Sequence, residues 1–366
     1  MALAGTLSGG EKIIMAAIEK KMIEPRQSRL AGAVVLAIFI GLAVTPFAFS
    51  GSQSLNVAAK ICYFIVLAAS FDLLLGYSGI ISFAHTMFFG IGGYGAAIAL
   101  HTLGASWNAV LIGTISAIAL ALVLAFLIGL FSLRLRTIFF AMITLAVATF
   151  FAILASQLST ITGGEEGRTF TIPEMLRPGY KLLDQPIAGV TINGRILAYY
   201  LIFITSILLF VAMLRLVRSP FGRVLQAMRE NSFRTEALGF NTISFRIIVN
   251  CIAAVLAALA GVLCAIWLRY TGPGTTLSFD IMMDILLIVV IGGMGTLYGA
   301  VVGATLLLLA ESYLQNLMGV ISQATVGLPI LPQLFHPDRL LLWLGILFIL
   351  SIYFFPTGIV GKLQKR

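Results

Sequence analysis

The sequence predicts an all-α integral membrane protein, folded as a polytopic helical bundle of about ten transmembrane helices. Of its 366 residues, 60% are hydrophobic and only 10% are charged, whereas a soluble domain carries about 25% charged residues. The apolar stretches run for about 20 residues, which is the length of a helix, rather than a barrel strand, that crosses a bilayer. Because lipid offers the backbone no hydrogen-bond partners, helices are the elements that satisfy it internally.

Ten apolar stretches define the predicted spans and the domain organisation. A transmembrane domain covers residues 30–360, between an N-terminal segment, 1–29, and a short C-terminal tail, 361–366. The predicted spans are 30–50, 57–75, 79–101, 107–131, 137–157, 196–214, 245–268, 281–299, 300–319 and 340–356.

The distribution of lysine and arginine predicts which loops face the cytoplasm. Most of the 23 basic residues fall in inner segments if both termini are cytoplasmic, as the positive-inside rule requires. These segments include residues 1–29, the pair Arg134 and Arg136, and the loop 215–246, called the polar loop below. The net charge of +9 follows from this topology and does not indicate a nucleic-acid partner. We expect a multi-pass protein of a bacterial inner membrane.

The sequence contains no signature of a catalytic or cofactor site. No Gly-x-x-x-x-Gly-Lys-Ser/Thr loop for a nucleotide occurs, and no soluble domain of useful size is present. The histidines at 85, 101 and 336 lack the spacing of metal ligands. The three cysteines fall within apolar spans and are interpreted as core residues. We therefore expect no enzyme activity and no metal or cofactor bound by this chain.

Two glycine-dense stretches, 76–95 and 292–303, interrupt the predicted spans. Each follows an Asp-x-Leu-Leu sequence, beginning at Asp72 and at Asp284. Paired interruptions of this kind are typical of broken helices in a duplicated transporter core, and ordinary glycine-mediated packing explains them equally well. The spacing of four between Gly295, Gly299 and Gly303 predicts that all three lie on one face of a helix for close packing.

The polar loop carries the signals of two short helices. Ser219 and Pro220 suit the start of a helix, and Phe221, Val224, Leu225 and Met228 follow a helical period. A shorter turn, 233–238, is then ended by Gly239. This amphipathic element is expected either to bind anionic lipid through its arginines or to dock a protein.

Four segments together resemble the M-type permease subunit of the branched-chain amino acid family of ATP-binding cassette (ABC) importers. The polar loop resembles the Glu-Ala-x-x-x-Gly-type loop of ABC importer permeases, except that Leu238 follows Glu236-Ala237. The other three are Leu74–His85, which fits Leu-Leu-Gly-Tyr-x-Gly-x-x-Ser-x-x-His, Thr162–Gly167, which fits Thr-Gly-Gly-x-x-Gly, and Gly292–Gly299, which fits Gly-Gly-x-Gly-Thr-x-x-Gly. The resemblance covers roughly residues 55–310 in order.

The resemblance implies a set of partners. A second, homologous permease would complete the pathway, and two cytoplasmic ABC ATPases would bind ATP and Mg beneath the pair. A periplasmic binding protein would deliver the substrate. Each ATPase would receive a coupling element from a permease, and in this chain that element is predicted to include Arg223, Arg229, Glu230, Asn231, Glu236, Ala237 and Gly239.

Polar residues inside the predicted spans are further candidates for function. Charged groups are costly in lipid and are expected to face the bundle interior. Asp72, Ser82, His85 and Asp284 would line or gate the pathway, or would instead cap broken helices and bond to neighbouring backbone. In the outer loop, 157–195, the acidic segment Thr162–Gly167 contacts the binding protein, folds over the pathway or forms a simple turn.

The predicted function is therefore that of a permease subunit that moves branched-chain or related hydrophobic amino acids. Two alternatives remain open. The same architecture could carry urea, short amides or aromatic acids, because the binding protein selects the cargo. A transporter of another class would be driven by an ion gradient and would need no ATPase.

Overall fold

The computed structural model of the protein describes residues 29–48, 51–132, 137–181, 191–324, 336–355 and 357–364. The helices are α1 (Arg29–Ala48), α2 (Ser52–Asp72), α3 (His85–Thr102), α4 (Trp107–Ser132), α5 (Thr137–Gln157), α6 (Ser159–Thr162), α7 (Gly194–Arg218), α8 (Pro220–Glu230), α9 (Ser232–Ala237), α10 (Thr242–Leu268), α11 (Pro273–Thr276), α12 (Phe279–Gly292), α13 (Leu297–Ala324), α14 (Leu340–Phe354) and α15 (Gly358–Gln364). A π-helix, Leu73–Ser78, extends α2. Strands β1 (Arg168–Thr169) and β2 (Tyr270–Thr271) form an antiparallel pair.

The all-α transmembrane architecture predicted from the sequence is confirmed. Within the described ranges, eight helical segments are long and apolar enough to cross a membrane. Two more predicted spans correspond to α3, which contains four glycines, and to α14, which has 15 residues. The chain is therefore a multi-pass membrane protein. The duplication of its core stays a prediction.

The two glycine-dense stretches break helices at positions that differ from the predicted span ends. The first break covers residues 79–84, so that α3 begins at His85 rather than at 79. The second covers residues 293–296, where Gly293 and Gly295 adopt φ angles of 117° and 81°. A positive φ is readily adopted by glycine and disfavoured for other residues. The prediction that Gly295 shares a helix face with Gly299 and Gly303 is therefore wrong for Gly295.

The core is built where small residues let helix backbones touch. An added Cβ at Gly92 of α3 would overlap the carbonyl of Ala258 in α10, and one at Gly261 of α10 would overlap the carbonyl of Phe89. In the same way α12 and α13 meet through Gly292, Gly299 and Gly303. In lipid, where hydrophobic attraction between helices is absent, such close contact is a main source of helix association.

The helices differ in how much of their surface the bundle covers. Helix α2 is almost wholly buried, whereas α4 and α5 expose most of their apolar side chains, as helices that face lipid do. One buried polar contact joins α4 to α10, because Asn250 Nδ2 donates to the carbonyl of Ala125 at 2.8 Å.

The bundle has two distinct ends. The loop end carries α8, α9 and the second break, where Gly358 at the start of α15 abuts Gly293. The sheet end carries β1 and β2, with Arg168 opposite Thr271 and Thr169 opposite Tyr270.

Some predicted segments lie outside the described residues. These are residues 1–28 of the N-terminal segment, Arg134 and Arg136, residues 182–190 of the outer loop, residues 325–335 between the last two predicted spans, and the last two residues of the tail.

The contact between α3 and α10 makes a prediction for stability. Replacing Gly261 with alanine forces the backbone of α10 away from Phe89, and overpacking of this kind costs about 1–3 kcal/mol. We expect a lower thermal unfolding midpoint in detergent, followed by tryptophan fluorescence. Gly41→Ala in α1 is the matched control, because an added Cβ there meets no atom of the described chain within 4 Å. Equal midpoints for the two variants would contradict the prediction.

Candidate functional site

The polar loop folds as a rigid element packed on the bundle. Ser219 caps α8 by accepting a hydrogen bond from the backbone N–H of Gly222 at 3.5 Å, and Pro220 stands in its first turn. Leu225 and Met228 are buried, and Phe221 stacks on Phe245 with ring centroids 5.4 Å apart. The helix predicted from the hydrophobic period is therefore present, with its apolar face against the core.

The second short helix is fixed by side-chain caps at both ends. Asn231 Oδ1 accepts from the backbone N–H of Arg234 at 2.9 Å at the start of α9. The Thr242 hydroxyl donates to Glu236, which ties the end of α9 to the start of α10. Gly239, with φ of 92°, makes the turn between them. Short, capped helices move as one body, which a flexible loop would not do.

The tip of the polar loop exposes large apolar side chains. Phe233, in the first turn of α9, is 81% exposed, and Leu238, directly after α9, is 72% exposed. Neither was a predicted site residue. Exposed apolar groups rimmed by polar ones are typical of a protein-binding surface. In the sequence, Phe233 and Leu238 stand among polar residues and outside the apolar period of α8.

The polar loop also reaches into both broken helices through Arg229. Its guanidinium donates a hydrogen bond to the carbonyl of Gly76, in the π-helix that ends the first broken segment. The guanidinium also interacts electrostatically with the buried carboxylate of Asp72. Asp72 Oδ1 in turn accepts from the backbone N–H of Gly295 at 2.9 Å. These four residues are called the junction below.

The charges of the junction match the helix ends that they contact. The first N–H groups of a helix and its last C=O groups have no partner within the helix. The Asp72 carboxylate lies beside the N-terminal end of α13, which carries a partial positive charge. The Arg229 guanidinium lies beside the C-terminal end of α2 and its π-helix, which carries a partial negative charge. Each side chain is therefore attracted by the helix end that it faces. Tyr77 adds to this arrangement, since its hydroxyl accepts from the backbone N–H of Leu297 at 3.4 Å.

Glycine is required where the junction is tightest. An added Cβ at Gly76 would overlap both Asp72 Oδ1 and the backbone nitrogen of Gly295. An added Cβ at Gly295 would lie 2.6 Å from Arg229 Nη1 and 3.0 Å from the carbonyl of Gly76. The two glycine-dense motifs therefore meet at one place, which the sequence alone did not predict.

The other predicted residues of the polar loop are not members of the junction. Arg223, Glu230, Asn231, Glu236, Ala237 and Gly239 are exposed at the loop end. Glu236 and Asn231 have structural partners within the loop.

The predicted pathway residues do not form one site. His85 is buried, with its Nε2 2.8 Å from Ser70 Oγ and its ring edge-on to Phe71. The Ser82 hydroxyl accepts from the backbone N–H of Ala84 at 3.4 Å, at the start of α3. Asp284 lies in α12, where it interacts electrostatically with Lys60 and Glu311. Nearby bonds thus account for Ser82 and for Nε2 of His85, whereas the buried Nδ1 of His85 has no hydrogen-bond partner among the described residues. Of these four residues, Asp72 is the one that the described contacts join to the polar loop.

A cleft of about 530 Å³ opens at the sheet end. Its apolar walls include Phe83 and Phe279, and its polar lining includes Thr86, Glu165 and Ser278. The acidic segment Thr162–Gly167 therefore lies at the rim of a cavity that reaches the start of α3. A cavity of this size could hold a small amino acid.

Comparison with known proteins relates this architecture to transport. The family model described as "Branched-chain amino acid transport system / permease component" matches residues 53–352. The high-affinity branched-chain amino acid transport system permease protein LivM of Salmonella typhimurium is 26% identical over 347 residues, covering 91% of this chain and 78% of the relative. The probable LivM of Methanocaldococcus jannaschii is 28% identical over 332 residues, covering 82% and 90%.

A second permease type matches as well. The high-affinity branched-chain amino acid transport system permease protein LivH of Salmonella typhimurium is 26% identical over 308 residues, covering 82% of this chain and 91% of the relative. No solved structure matches the chain. Because the family model spans most of the sequence and the fold is a multi-pass helical bundle, the protein belongs to the branched-chain amino acid transport permease family.

Proposed function

We propose that this chain is one permease subunit of an ABC importer in a bacterial inner membrane. Its cargo is a branched-chain or related hydrophobic amino acid. The loop end faces the cytoplasm with both termini, and the sheet end faces the periplasm. The family assignment and the concentration of arginine in the polar loop support this orientation.

The proposed assembly has four kinds of partner. A second, homologous permease completes the pathway, which is in keeping with the similarity of this chain to relatives named LivM and LivH. Two ATPases bind the loop end and supply the ATP and Mg sites, and a periplasmic binding protein delivers cargo to the sheet end. Lipid surrounds the apolar faces of α4 and α5.

The observation that carries the proposal is the junction. An ATPase that moves α8 and α9 also moves Arg229, and Arg229 is bonded to Gly76 beside Asp72 and Gly295. Motion at the loop end therefore reaches the inner ends of two broken helices, α2 and α13, at once. Packed elements with two discrete arrangements transmit such motion as rigid bodies.

Reconstitution tests the whole proposal. The proteoliposomes contain both permeases and both ATPases. The binding protein is added on the side of the sheet end, and ATP is supplied on the side of the loop end. We expect L-leucine to accumulate only when ATP is hydrolysed. Uptake driven by an ion gradient without ATP would contradict the proposal and favour a secondary transporter. Uptake of urea, short amides or aromatic acids in place of leucine would keep the architecture and change the cargo.

The junction predicts an uncoupled variant. In Arg229→Ala, the ATPases still dock on the loop tip, but Asp72 and Gly76 lose their link to α8. We expect leucine uptake to fall about tenfold or more while ATP hydrolysis continues. The reason is that hydrogen bonds to charged groups contribute roughly 1.5–3 kcal/mol. Gln226→Ala, which removes an exposed side chain from the same helix, is the control. Normal uptake by Arg229→Ala would show that the junction does not couple.

The loop tip predicts a docking defect. Phe233→Ala and Leu238→Ala each remove a large apolar group from the proposed ATPase interface, and truncating a central anchor typically costs about 2 kcal/mol or more. We expect ATPase subunits to co-purify less with either variant. Glu236→Arg should also abolish coupled uptake. Met175→Ala, an exposed apolar residue at the sheet end, serves as the control, and undiminished co-purification of the tip variants would refute docking there.

A further inference from the structure

An ion pair lies inside the membrane domain, away from the junction. Lys60 Nζ lies 2.8 Å from Glu311 Oε2 and 3.0 Å from Oε1, so the amine bonds to both carboxylate oxygens. Lys60 belongs to α2 and Glu311 to α13. Lys60 Nζ also lies 5.6 Å from the ring centroid of Phe64, which favours the cation further.

Glu311 lies near the middle of a helix that is long enough to cross the membrane. Glu311 is near the midpoint of α13, which has 28 residues, and at ~1.5 Å per residue it is about 20 Å from either end. The hydrocarbon layer is only ~30 Å thick, so the middle of this helix lies within it. Each side chain of the pair is nevertheless 31% exposed. Charged groups at this depth face a water-filled path or a protein partner rather than lipid.

A second carboxylate lies near the pair. Asp284 of α12 is partly buried and interacts electrostatically with Lys60, Glu311 and Asp280. Asp280 is four residues earlier and exposed, and the hydroxyl of Ser278 donates to Asp280 Oδ2 at 3.0 Å. Residues four apart share a helix face, so a line of carboxylates runs inward from the sheet end. Ser278 also lines the cleft at that end.

We propose that Lys60, Asp284 and Glu311 form a station in the pathway that holds the charged ends of a zwitterionic solute. The ammonium of the solute binds Glu311 and Asp284, and its carboxylate binds Lys60. A zwitterion carries one positive and one negative charge, as the pair does. Its ammonium can take the place of Lys60 beside Glu311, and its carboxylate can take the place of Glu311 beside Lys60. Every charge then keeps a partner of opposite sign. The extra carboxylate, Asp284, makes the station favour zwitterions over anions. This inference rests on the proposed amino acid cargo.

The exchange explains why an ion pair is kept at a partly buried position. An ion pair that is shielded from water seldom adds stability over apolar residues of similar size, whereas removal of one partner leaves an unpaired charge. A pair that is retained only for structure should therefore be replaceable by two neutral residues. A pair that receives the solute should not be.

Neutralisation of the station separates these roles. The variants are Lys60→Met, Glu311→Gln, the double variant with both changes, and Asp284→Asn, each in the complete importer in proteoliposomes. We expect the single variants at 60 and 311 and the double variant to lose about tenfold or more of L-leucine uptake, since each leaves a solute charge without a partner. Asp284→Asn should lose several-fold. ATP hydrolysis stimulated by the leucine-loaded binding protein should stay within about twofold of the unmodified complex.

The controls distinguish this inference from the proposed function. Glu174→Gln removes an exposed carboxylate at the sheet end and should transport normally. If the unmodified complex takes up no leucine, the proposed function is wrong. If it does, and the double variant transports at its rate, the station is wrong. Loss of the second permease from the purified double variant would also overturn the station, in favour of a contact between subunits.

Discussion

A helix that breaks inside a membrane leaves backbone donors and acceptors that lipid cannot satisfy, and this constraint governs the loop end of the protein. The break at residues 293–296 exposes the N–H of Gly295, and the end of the π-helix exposes the carbonyl of Gly76. Asp72 accepts from the first and Arg229 donates to the second. The guanidinium of Arg229 and the carboxylate of Asp72 also attract each other electrostatically. The backbone groups that the helix ends leave without partners are thus hydrogen-bonded by a side chain of a neighbouring helix and by a side chain of the polar loop.

The junction and the ion pair of Lys60 with Glu311 connect the same two helices at different positions. The junction joins the polar loop to α2 and α13, and the pair joins the same two helices about halfway along α13. The same two helices are therefore held together at the loop end and again near the middle of α13. The cleft opens at the opposite, sheet end of the bundle.

Much of this arrangement could be predicted from local sequence. Long apolar stretches, the cap at Ser219-Pro220 and the turn at Gly239 follow from rules that involve a few neighbouring residues. The meeting of Gly76 with Gly295 and the pairing of Lys60 with Glu311 involve residues more than 200 positions apart, and no local period encodes them. The spacing of Gly295 from Gly299 fits a helix face, whereas its positive φ places it in the break between two helices. The exposure of Phe233 and Leu238 depends on how α8 and α9 pack on the bundle, which local sequence does not encode.

The separation of the junction residues in the chain also orders its assembly. Asp72 and Gly295 are 223 residues apart, and Gly76 and Arg229 are 153 apart. During synthesis, Asp72 is therefore made long before the backbone N–H of Gly295 from which it accepts a hydrogen bond. The contacts at this end of α2 can form only when the second half of the chain has been made.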